Sequence, residues 1–228
     1  MRSSPRLGMI AGLVLGSGCA AIPTVSPRPP VEGLNQNYFP MVPGKQWTYQ
    51  IHVIDGGAVH ADGEIQWRNT SVRQTQMGDE TSVQVSRDES VADFQLWLAT
   101  PKGLYLTAQR QQNKDGPGPL VSFEPPQPVF EYPLKAGSTF HWSGTGPLPD
   151  GTAGLSTVNG RIDPVEEVAT PCGRLTAIPV EYSIIASGIV SSEKVWFTPG
   201  VGIIELSETD KLGKSSPVRQ DLVLEDVQ

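Results

Sequence analysis

From Tyr38 onward the chain alternates apolar and polar residues, the period-two pattern of strands with one buried face. In "WTYQIHV" Trp47, Tyr49, Ile51 and Val53 share one face, with Thr48, Gln50 and His52 on the other. "EIQWRNT" sets Ile65 and Trp67 against Glu64, Gln66 and Arg68, and "SVQVSR", "FQLWLAT", "LYLTAQR", "IPVEYSII" and "DLVLEDV" repeat the theme. No long segment carries a 3.6-residue apolar stripe. The pattern predicts an all-β fold of about ten short strands in a curved, largely antiparallel sheet, either half-barrel or sandwich-like.

Twenty-one prolines and 24 glycines in 228 residues reinforce this reading, because such residues punctuate turns and interrupt helices. "NKDGPGPLVSFEPPQP" (113–128) reads as a loop or crossover and "GTGPLPDGTAG" (144–154) as a second loop. Near the end, "TAIPVEYSIIASG", "IVSSEKVWF" and "VGIIELSE" form a three-strand meander, its last pair turned by Pro199-Gly200. Halves split at the first loop would be small for independent cores, so residues 38–228 read as one domain.

The first 18 residues have the order of an export signal: Arg2 and Arg6, an apolar stretch from Leu7 to Leu15, then Gly16, Ser17 and Gly18. The apolar run is too short to span a bilayer, which takes about 20 residues. Cys19 follows directly, and residues 15–19 resemble the lipobox of bacterial lipoproteins, with Gly16 where leucine usually stands. The resemblance implies cleavage before Cys19, a diacylglyceryl thioether on its sulfur and an acyl chain such as palmitate on its amine, together a stable membrane anchor. A secreted protein with a Cys19–Cys172 disulfide is the competing reading, since these are the only two cysteines. Residues 19–37, with Pro23, Pro27, Pro29 and Pro30, read as a semi-rigid tether that could reach roughly 50 Å when extended. Ala20, rather than aspartate, follows the cysteine; in lipoprotein sorting this implies the outer membrane, with the domain facing the periplasm.

"YFPMVPGKQWTYQ" (38–50) and "VWFTPGVGIIEL" (195–206) resemble the entrance and exit segments of a broad set of bacterial envelope lipoproteins, and "ATPCGRLTAIPV" (169–180) resembles the element before their exit hairpin. That resemblance implies a sheet-rich domain and supplies no catalytic positions.

Charge and motifs narrow the chemistry. The net charge of −7, which becomes −9 once Arg2 and Arg6 leave with the signal, lacks the basic footprint that nucleic acid requires. His52, His60 and His141 are the only histidines, and no G-x-S-x-G, H-E-x-x-H or C-x-x-C pattern accompanies them. "LGKSS" (212–216) lacks the leading glycine of a phosphate loop, Glu208 standing in its place, and "NTS" at Asn69 is a sequon by spelling alone. Asp88 with Glu89 and Glu166 with Glu167 point to opposite strand faces, unlike a catalytic acid pair. No cofactor and no metal is expected. Five tryptophans (Trp47, Trp67, Trp97, Trp142 and Trp196) suit a sheet core, or a concave apolar groove, for which Trp47, Tyr49, Trp67 and Trp196 are the candidate ligand-binding residues. The expected protein is a non-catalytic, lipid-anchored binding or scaffolding module whose partners are the membrane, through Cys19, and an envelope protein or hydrophobic ligand. A carrier of acyl chains or lipoproteins is the alternative, and an unrecognised hydrolase ranks below both.

Overall fold

Trp47, Tyr49 and Ile51 are buried on one side of the first strand while Gln50 between them is exposed, as the alternation predicts. The same rule recurs through the computed structural model, which describes residues 37–228 apart from 56–57, 88–89, 114–115, 149 and 213–217. The signal segment, Cys19, almost all of the tether, the Asp88–Glu89 pair and most of "LGKSS" lie outside the described residues, as does the side chain of His60.

The strands are β1 (Gln46–Asp55), β2 (Ala58–Gln74), β3 (Asp79–Arg87), β4 (Ser90–Thr100), β5 (Gly103–Asn113), β6 (Gly116–Pro117) and β7 (Val121–Glu131). The second half contributes β8 (Thr139–Pro147), β9 (Ala153–Ile162), β10 (Glu166–Thr170), β11 (Gly173–Ala186), β12 (Ile189–Thr198), β13 (Gly202–Leu212) and β14 (Val218–Val227). All pairings are antiparallel. The order runs β11, β12, β13, β14, β1 to β5, β7, β8, β9; β9 then pairs with β11, Ser156 to Ile162 against Ala186 to Val180. Twelve strands thus form a closed barrel, with β10 branching from β11 and β6 from β5.

The curved antiparallel sheet expected from the alternation is present, and it goes further than a half-barrel or a sandwich because closure leaves neither end strand unpaired. At the closing seam Arg161 and Glu181 pair outside the barrel at 2.6 Å, and Lys194 lies 3.6 Å from Asp163 and 3.9 Å from Glu181. The buried apolar residues of the strands face mainly inward, and polar ones such as Gln50, Glu64 and Arg68 face outward. A membrane-spanning barrel has the inverse polarity.

Two expected loops are largely strand. Residues 121–128 belong to β7 although Pro125, Pro126 and Pro128 lie within it, and the second loop shrinks to the turn between Pro147 and Ala153. Prolines are tolerated in β7 because they cannot donate to a ladder and this one is sparse: β7 meets β8 at one register pair, Glu124 with Thr145. Side chains take up carbonyls there, with the Trp142 indole donating to Pro125 (2.9 Å) and the Tyr182 hydroxyl to Val129 (2.6 Å).

The meander puts the ends of β1, β3, β8, β11 and β13 at one end of the barrel. The start of β1, the end of β14 and the β12/β13 turn gather at the other. This second end is filled. Phe39 stacks on Trp47 and Trp97, with ring centroids 5.4 and 4.5 Å away. Trp47 donates from its indole to Val201 (2.6 Å), Tyr49 from its hydroxyl to Ile203 (3.0 Å), and the Gly200 amide to Asn37 (2.7 Å). The entrance and exit segments singled out in the sequence are therefore two halves of one aromatic floor.

Candidate functional site: the barrel interior

Above that floor the inward faces enclose a cavity of about 550 Å³, within the range of roughly 300–1,000 Å³ common for small-ligand pockets. Trp67, Trp97, Val195, Phe197 and Ile203 make its lower wall. The wall changes character toward the end carrying the β11/β12 turn. There Asp93, Glu193, Glu208 and Asp210 line it together with Gln95, Gln109, Gln111 and Gln220. No lysine, arginine or histidine is among the described lining residues.

Strand geometry explains this division. Counting by twos from the floor, β12 points Phe197, Val195, Glu193 and Ser191 inward, and β13 does the same with Leu206, Glu208 and Asp210. On both strands the acids follow apolar residues at the lower end, and on β12 Ile189 returns the inward face to apolar at the rim. Register sets Glu193 directly opposite Glu208 and Ser191 opposite Asp210.

The acids differ in how they are supported. Asp93 accepts hydrogen bonds from the Phe94 amide (2.7 Å), Gln109 (2.7 Å) and Gln95 (3.3 Å); burial nevertheless holds its carboxyl above the usual range. The Ser191 hydroxyl donates to Asp210. Enclosure by protein, then the charges of Glu208 and Asp210, push Glu193 up to about 8; enclosure and then Asp210 push Glu208 up to about 7. Among the described residues no grouping of histidine, cysteine and carboxylate side chains could hold a metal ion.

The four aromatic residues expected to line a groove are separated. Trp67 does line the cavity, and its indole N–H has no acceptor among the described residues. Trp47 and Tyr49 lie in the floor, committed to the backbone carbonyls above. Trp196 is on the outer face, where its indole donates to Glu166 and Lys194 sits 4.9 Å from its ring centroid. His141 faces Asn159, with Nδ1 2.9 Å from the amide oxygen, and the Cys172 thiol donates to the Glu225 carbonyl at 2.6 Å. Glu193 and Glu208 are the site residues that the sequence reading passed over. Their signal was present in the spacing: each continues an apolar strand face, two residues from Val195 and from Leu206.

No protein-family model matches the chain, and no curated protein matches it. Among solved structures, the fold is similar to that of a protein provisionally assigned as a lipoprotein of Parabacteroides distasonis (12% identity, TM-score 0.49, covering 85% of this chain and 99% of that one). It is similar also to a protein of Bacteroides fragilis provisionally assigned as exported, with a YmcC-like fold (13% identity, TM-score 0.49, covering 85% and 100%). A third likeness is to the hypothetical lipoprotein YmcC of Escherichia coli (12% identity, TM-score 0.35, covering 80% and 84%). Likeness at this level assigns neither a family nor an activity to the chain.

Proposed function

We propose that this chain is a non-catalytic, lipid-anchored envelope protein whose barrel holds a small, partly apolar ligand in its interior. The cavity carries the reading: a closed barrel of twelve strands is wider than the eight-stranded kind that side chains just fill, and here about 550 Å³ is left. An aromatic and aliphatic lower wall beneath a polar upper one suits a ligand with two ends of different character. This favours the carrier over a pure scaffold, which would need no interior space. The anchor belongs to the same proposal and rests on Cys19 and the small residues before it.

Two experiments test it. Native mass spectrometry of protein purified from membranes should show a bound small molecule, released on unfolding; an empty barrel that also fails to take up any apolar probe would remove the carrier reading. Intact mass should show a chain beginning at Cys19 with acyl groups attached. An unmodified, soluble chain would remove the anchor.

A further inference from the structure

We infer that the ligand held in the barrel is an amphiphile with a cationic, ammonium-type head, its tail on the aromatic floor and its head between Glu193 and Glu208. This deepens the carrier reading and rests on it. The barrel contains a pairing that the fold does not need. Two carboxyl groups placed directly opposite each other on neighbouring strands cannot both ionise without destabilising the sheet, and Glu193 faces Glu208 in this way inside the barrel. Neither carboxyl has a hydrogen bond or ion pair among the described residues. The two neighbouring acids of the cavity wall are supported: Asp93 has three donors and Asp210 has the Ser191 hydroxyl. An unsupported pair of acids in an otherwise consistent fold marks a place where function opposes stability.

The missing partner is a positive charge, and the described cavity wall contains none. Two observations identify its type. Among the described residues a bare metal ion lacks a ligand set there. The space below the acids continues to Trp67, Trp97 and Phe197, so an occupant reaching from the acids to the floor carries an apolar portion. An anionic head would meet Glu193, Glu208 and the neighbouring Asp210, and a neutral one would leave the opposed glutamates as they are.

The test uses the full chain made by cell-free synthesis without membranes, so that no lipid fills the site. n-Decylamine, n-decanol and n-decanoate share a tail and differ in head group, and each is titrated while tryptophan fluorescence and heat are recorded. The amine should bind at least about tenfold tighter than the other two, the equivalent of one net charged contact. In the E193Q/E208Q variant, checked for its β-sheet circular dichroism, that margin should vanish while decanol binding stays. Decanol or decanoate binding as tightly as the amine to the unaltered protein would overturn the cationic head and leave the carrier reading standing. Binding of none of the three would overturn the carrier reading as well. The head-group comparison on the unaltered chain decides the matter even if the double variant does not fold.

Discussion

Replacing Glu193 by glutamine should make the barrel more stable, and increasingly so as pH rises. The carboxyl is held at about 8 in the folded protein against 4.5 for an ordinary glutamate, so the native state keeps a proton that the unfolded chain releases. The stabilisation from that proton is complete below pH 4.5 and is lost as pH rises through 8. Over this window each retained proton gives a slope of about 1.4 kcal/mol per pH unit. A fully sealed carboxyl with this shift would contribute ~5 kcal/mol across the window. Two features reduce the figure: the side chain borders the cavity, where water reaches it, and Glu208, Asp210 and Tyr182 stand around it so that the acids titrate together. The expected gain of Glu193→Gln is therefore about 2 kcal/mol at pH 8.5 and near zero at pH 5. For a domain of this size that is ~4–8 °C in Tm. Urea unfolding followed by circular dichroism at pH 5, 7 and 8.5, with variant and parent compared at each, isolates the effect from groups such as Glu181, whose carboxyl is held below the usual range by Arg161. A variant whose stability tracks the parent at all three values would refute the reasoning.

Trp47→Ala should destabilise the barrel by about 3–5 kcal/mol in equilibrium unfolding, since it opens the floor and strips Val201 of its donor. Gly202→Ala should cost about 1–3 kcal/mol, because φ is +110° there and a Cβ would sit 3.2 Å from the Trp47 indole nitrogen. Trp196→Ala, on the outer face, should change stability by about 1 kcal/mol and leave probe uptake unchanged; lost uptake in a folded variant would contradict the interior site. Cys19→Ser should abolish acylation and shift the chain out of the acylated membrane fraction, read by intact mass and fractionation.

Much of the fold was legible because its causes are local. Alternation around Trp47, Ile65 and Val195 identifies strands whatever they pair with, and Pro199-Gly200 marks the turn from β12 into β13 by local backbone preference. The prolines around 125–128 misled for an instructive reason: they exclude a fully bonded ladder, and on its β8 side β7 has almost none, while its ladder to β5 is interrupted opposite Pro125 and Pro126. The division of the aromatics was also hidden. Trp196 and Phe197 are adjacent, so one must face outward, but choosing between them requires knowing which side the sheet closes on.

The sequence by itself determined a β meander with turns at each strand end and an aromatic pair of segments at its entrance and exit, because period-two burial and turn preferences act over a few residues. Tertiary structure decided the rest. Pairing of β9 with β11 past the intervening β10, and of β14 with β1 across the whole chain, turns a curved sheet into a vessel. Once it closes, a face that could have met solvent becomes an interior, and Glu193 and Glu208, unremarkable as spaced letters, become two acids facing each other inside it.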